Sequence, residues 1–204
     1  MRSKRRLEGF TLIELMVTVA IISVLLMLVG PSFQDMILMQ RLRGASAQLV
    51  TDLQFARAEA VNRGRYVRIH FGSDADQTCY VLYLAESSAA ERCECTRGAG
   101  LACSPGEGRL ELKTVSIQKS SLVQLSWPDW DPAADPSYPN PGFAFDFVTG
   151  GLLSIPTDTP MQPSPGISLD ASIDADRLLR HKVLITGRPA VCSPNAARMQ
   201  VPEC

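Results

Sequence analysis

Twenty-one residues from Phe10 to Gly30, FTLIELMVTVAIISVLLMLVG, contain one ionisable side chain, Glu14. A helix rises ~1.5 Å per residue, so this run would reach ~30 Å, the thickness of a bilayer's hydrocarbon. The residues before it, MRSKRRLEG, set Arg2, Lys4, Arg5 and Arg6 against Glu8. Positive charge on that flank predicts a single-pass segment with a cytoplasmic N-terminus and everything after Gly30 outside. A secretory signal has a shorter apolar region followed by a small-residue cleavage site; here the small residue, Gly9, precedes the run. A plain signal anchor would satisfy the hydropathy but not Glu14. A carboxylate inside a membrane segment costs about 2.5–3.5 kcal/mol on insertion scales, and such residues are usually functional.

The string Gly9-Phe10-Thr11-Leu12-Ile13-Glu14-Leu15, behind a basic leader and ahead of an apolar helix ending at Pro31, resembles the class III signal of type IV pilins and pseudopilins. The resemblance implies that a prepilin peptidase cuts between Gly9 and Phe10 and N-methylates Phe10. It implies also that the apolar segment stays as an inner-membrane anchor among lipid and later becomes filament core. Cleavage would leave a cationic amine on Phe10, one helical turn from Glu14. A carboxylate in hydrocarbon seeks an opposite charge, and the Phe10 amine of a neighbouring subunit can supply it, setting axial register between helices. The bland alternative is that Glu14 snorkels to the interface without a role.

Beyond Pro31, a site for a kink, the apolar positions Leu42, Ala45, Leu49, Leu53, Ala56 and Ala60 recur at steps of three and four. That period predicts an amphipathic helix, with Gly64 as its stop. Strand patterns follow at Arg65–Phe71 (half-buried, with Arg65, Arg68 and His70 outward), Thr78–Ala85 (apolar on both faces), Arg109–Ile117, Leu122–Ser126, Gly142–Val148, Leu152–Ile155 and His181–Thr186. Nine of the 14 prolines lie between Pro128 and Pro165, so strands there must be short or at edges. The expectation is an α+β chain: leader 1–9, membrane helix 10–30, amphipathic continuation 31–64, and an antiparallel β domain 65–204.

FARAEAVNRG at the helix end, RYVRI in the first strand, a later F-x-F-x-x-x-G-G and a terminal ITGR-P-x-V-C together resemble the GspH/FimT branch, minor pseudopilins of type II secretion and minor pilins of type IV pili. The resemblance implies other minor and major pilins or pseudopilins as partners, in an initiating or tip complex. Six cysteines, Cys79, Cys93, Cys95, Cys103, Cys192 and Cys204, all lie on the outer side, where disulfides form. Fifteen connectivities are open. The least ambitious closes a C-terminal loop with Cys192–Cys204 and keeps the other four together around the Ala-, Ser- and Gly-rich Ser87–Pro105. Zinc fits poorly, because Cys93-x-Cys95 has one intervening residue where paired ligands usually have two to four.

The sequence has no G-x-S-x-G, P-loop or GxGxxG, and its two histidines, His70 and His181, read as surface or satisfied residues. No enzyme, metal or cofactor is expected. A net charge of -1 excludes a uniformly basic nucleic-acid coat but leaves room for a local patch. Some members of the FimT branch bind DNA through G-R-x-R. The matching positions here are Gly187, Arg188, Pro189 and Ala190, with the second arginine missing. Arg180, Lys182 and Arg198 could extend a patch around Arg188, so DNA uptake stands as the alternative to an assembly subunit. A second basic group, Arg57, Arg63, Arg65 and Arg68, is matched by Asp52 and Glu59. An anchored binding domain that never assembles is the third reading.

Overall fold

The computed structural model describes residues 10–85, 92–104, 108–128, 141–154 and 162–204, the side chains of 28–32 aside. The leader 1–9, including Gly9, the ends of the Ser87–Pro105 segment and Ile155 lie outside the described residues, and Pro31 is described in its backbone alone.

Helix α1 runs unbroken from Leu12 to Arg63. Thr11 starts it: its hydroxyl accepts the Glu14 backbone N–H at 3.3 Å, the N-cap geometry that satisfies a free donor of the first turn. Gly64, at φ +61, ends it in the left-handed region open to glycine. Two compact units divide the chain between Ile37 and Leu38.

In the first unit α1 is a bare apolar rod, its described large aliphatic side chains exposed from Leu12 to Met27.

In the second unit, Leu38–Cys204, α1 presents Leu42, Leu49, Leu53, Ala56 and Ala60 to the core, with Ala45 half-buried beside them. Among the described residues, ten strands form two antiparallel sheets. The larger takes β1 (Tyr66–Ser73), β2 (Gln77–Ala85), β3 (Arg109–Gln118), β5 (Gly142–Phe145), β6 (Leu152–Ser154) and β7 (Gln162–Pro163) in the order β3-β2-β1-β5-β6-β7. The smaller takes β4 (Gln124–Ser126), β8 (Gly166–Ser172), β9 (Leu178–Leu184) and β10 (Pro189–Cys192) in the order β10-β9-β8-β4. A short helix, α2 (Ala196–Met199), lies in the loop closed by Cys192–Cys204. Phe71, Tyr80, Phe143, Leu169, Val183 and Met199 share one core with the inner face of α1. An N-terminal helix with its second half packed on an antiparallel body is α+β, the architecture of the type IV pilin fold.

One expectation fails in β1. The strand is buried on both faces, with Arg68 1% and His70 9% exposed. The reason is a second apolar layer under the larger sheet. Cys79, Val81, Tyr83 and Ala85 of β2 point away from α1 and meet Cys93, Cys95 and Ala102. Disulfides Cys79–Cys95 and Cys93–Cys103 fasten that loop, and His70 Nδ1 bonds the Cys93 carbonyl oxygen at 2.8 Å. Glu111 of β3 clamps the loop's far end, accepting the N–H groups of Gly100 at 2.7 Å and Ala102 at 3.0 Å. Burial alone would raise its pKa; these bonds and one from Thr114 hold it below the ordinary value.

The strand patterns of the sequence predict neither β7, β8 and β10 nor α2. β8 carries a legible period-two pattern, Ile167, Leu169 and Ala171 alternating with Ser168 and Asp170. β7 and β10 are short and contain Pro163 and Pro189.

Candidate functional site: the apolar helix and the Arg57 junction

Phe10 stands just before α1, 80% exposed, and Glu14 lies in the first helical turn among Ile13, Leu15 and Met16, all exposed. Thr11-x-x-Glu14 is the capping-box spacing. That second, local significance of the string is legible in the sequence beside its resemblance to a signal. Among the described residues no helix is long and apolar enough to cross a membrane. The side chains of 28–32 lie outside that description, while the sequence continues apolar to Gly30.

Three segments far apart in sequence meet at Arg57. Its Nε donates to the Gly150 carbonyl oxygen at 2.9 Å, tying α1 to the turn between β5 and β6. Gly187 in the turn between β9 and β10 comes so close that a Cβ there would stand 2.1 Å from that oxygen and 3.1 Å from Arg57 Nε. Both glycines have positive φ, +66 and +73. The G-G and G-R turns noted in the sequence are thus two halves of one junction, with Arg57 between them.

The predicted cations separate. Arg188 is exposed beside the junction. Arg180 is committed to buried Asp170 by two 2.8 Å bonds across the β8–β9 ladder. Lys182 reaches the Cys204 backbone oxygen at 3.4 Å, and Arg198 lies in the last turn of α2. Ala190 pairs directly opposite Lys182 on the outward side of the smaller sheet. In the second basic group, Arg63 pairs with Glu59. Asp52 does not serve as that group's counter-charge. It is buried, accepting from Lys113 Nζ at 2.6 Å and from the Tyr80 hydroxyl at 2.8 Å. Burial, then the bond to Asp52, raise the Tyr80 pKa.

His181, fully buried, joins α1 to the smaller sheet: Nε2 lies 2.8 Å from Ser46 Oγ, and Nδ1 lies 3.1 Å from the Leu169 carbonyl oxygen. Burial lowers its pKa from the ordinary 6.5 against the weaker opposing pull of the Leu169 carbonyl and Asp170. A depressed folded value means the unfolded chain binds the proton first. The stability that neutral His181 contributes is therefore whole above 6.5 and declines as pH falls below it toward the folded value. Urea midpoints of the full chain in detergent should drop over that range, and His181→Gln should flatten the drop. An unchanged pH profile in His181→Gln would place the proton uptake elsewhere.

The six cysteines form three disulfides, Cys79–Cys95, Cys93–Cys103 and Cys192–Cys204. No cluster of His, Cys, Asp and Glu suited to a metal occurs among the described residues.

The family model for the prokaryotic N-terminal methylation motif matches residues 4–30. That for type II transport protein GspH matches residues 45–156, more than half of the 204-residue chain. The chain belongs to the GspH family. No curated protein and no solved structure matches it. As a GspH-family chain with a pilin-type methylation motif, it is a minor pseudopilin or pilin of type II secretion or type IV pili. The family implies interaction with prepilin peptidase and with other pilins. The GspH match contains Arg57 and Gly150 but stops before β8, so Gly187 and Arg188 complete the junction from outside it.

Proposed function

We propose that this chain is a structural subunit of the initiating or tip complex, held in the inner membrane by the segment 10–30 until it is drawn into the filament. In this reading prepilin peptidase removes 1–9 by cutting between Gly9 and Phe10 and methylates Phe10. Region 31–64 continues the anchor, with Pro31 as its kink, and 65–204 is the periplasmic domain. The observation carrying the reading is the bare apolar rod of α1. A helix apolar all round must be covered by lipid or by other apolar helices. In this reading Glu14, the one ionisable side chain between Phe10 and Gly30, meets an amine on Phe10 of a neighbour. Mass spectrometry of the protein from a host with active prepilin peptidase should find a mature form beginning at methylated Phe10. Finding Met1–Gly9 still attached would refute the reading.

The second reading, a DNA-binding minor pilin for DNA uptake, draws on the exposure of Arg188 at the first arginine of the G-R-x-R position. The neighbouring charges weaken it, because Arg180 is already paired with Asp170. Two or three phosphate contacts give weak binding, roughly 10⁻⁴–10⁻⁶ M at physiological salt. Ala190→Arg would set a guanidinium opposite Lys182 and should tighten binding to duplex DNA, steepening the salt dependence by about 0.9 in log K per decade of salt. No change in affinity or salt slope would remove this face from the DNA reading.

A further inference from the structure

An open recess of about 500 Å³ lies over the Arg57 junction, lined by Arg57, Thr149, Gly151, Ile185, Thr186 and Arg188. Among the described residues, no acidic side chain lines it. Asp146, in the same turn as Thr149, is engaged by the Thr149 N–H at 2.9 Å and its hydroxyl at 2.7 Å. Arg57 uses Nε on Gly150, and its two terminal nitrogens have no partner among the described residues; nor does the guanidinium of Arg188.

We propose that this recess is a carboxylate-binding site that seats an acidic side chain of a neighbouring subunit. The proposal rests on the assembly reading above. Arginine forks match a carboxylate in two-bond geometry. Arg57 is pinned between two glycine turns, so little side-chain freedom remains to be lost on binding. Ile185, which lines the recess, is 52% exposed, and Val148, next to Thr149 in the turn, is 73% exposed. Aliphatic groups around an arginine centre suit a protein surface. A polyanion would need a row of uncommitted cations along the sheet, and Arg180 and Lys182 are engaged by Asp170 and Cys204.

The test has two arms. In the first, full-length protein in detergent micelles, labelled in its arginine side chains, is titrated with sodium glutarate and separately with duplex DNA. Glutarate should shift the Arg57 and Arg188 side-chain signals saturably, and Arg188→Gln should weaken the Arg57 response at least tenfold. In the second arm, Arg188→Glu should be processed normally by prepilin peptidase, yet recovered with the other minor subunits at least tenfold less. Arg188→Lys should restore part of that recovery. Silence of both arginines toward glutarate would overturn the proposal. So would tighter, Arg188-dependent binding of DNA, which assigns the recess to nucleic acid, or wild-type recovery of Arg188→Glu. Failure of the unaltered protein to be processed at Gly9–Phe10 sinks the assembly reading instead, and the glutarate arm reports on the recess regardless.

Discussion

Gly187→Ala is expected to cost the fold about 3 kcal/mol or more. Two terms add. An alanine held at positive φ costs roughly 1–2 kcal/mol, and overpacking in a rigid site typically costs about 1–3 kcal/mol. The second term should be at its upper end, since a Cβ at Gly187 would lie 2.1 Å from the Gly150 oxygen, inside any tolerable contact. Gly64→Ala supplies the control. It has a similar φ of +61 but nothing within 4 Å of a new Cβ, so it incurs the backbone term alone. Denaturant unfolding of both variants isolates the close approach of the two turns. Equal losses would mean that these turns part easily and that Arg57 is not clamped between them.

Glu14→Ala should leave insertion intact or improved, because a costly charge leaves the apolar segment. Recovery in sheared filaments or in the minor-subunit complex should nevertheless fall by at least about tenfold. An ion left without its partner in a low-dielectric surrounding costs several kcal/mol, and about 1.4 kcal/mol suffices for a factor of ten. Thr11→Ala separates this from helix capping: it removes the hydroxyl that receives the Glu14 N–H, at a cost of about 1 kcal/mol, while keeping the charge. If Glu14→Ala is recovered normally, or if Thr11→Ala matches its loss, the carboxylate has no part in register.

The helix was legible because Leu42, Leu49, Leu53, Ala56 and Ala60 mark its buried stripe at the helical period. Gly64 marked its end by the same local chemistry. The burial of Arg68 and His70 was not legible. It depends on a loop that returns 23 residues later to place the Cys93 carbonyl against His70, and alternation along β1 carries no trace of what will cover its second face. Asp52 misled for a related reason. Its nearby cations in sequence lie around the helix end, whereas its partner, Lys113, is 61 residues away. The junction falls between these cases. Each glycine turn announced itself, but that Gly150 lies 93 residues from Arg57 and still receives its Nε is a consequence of sheet topology.

The stapled loop under the larger sheet gives this domain a chemical clock. Until Cys79–Cys95 and Cys93–Cys103 close, no covalent bond ties the strip of Val81, Tyr83 and Ala85 to its cover, which is then held only by contacts such as the His70 and Glu111 bonds. Loops of 16 and 10 residues gain roughly 3 kcal/mol each from closure in the chain-entropy model. The domain is therefore finished by an oxidant and not by the ribosome. A chain kept under reducing conditions would bare that greasy underside more often, and the permanence of its finished surface would date from when its sulfurs were oxidised.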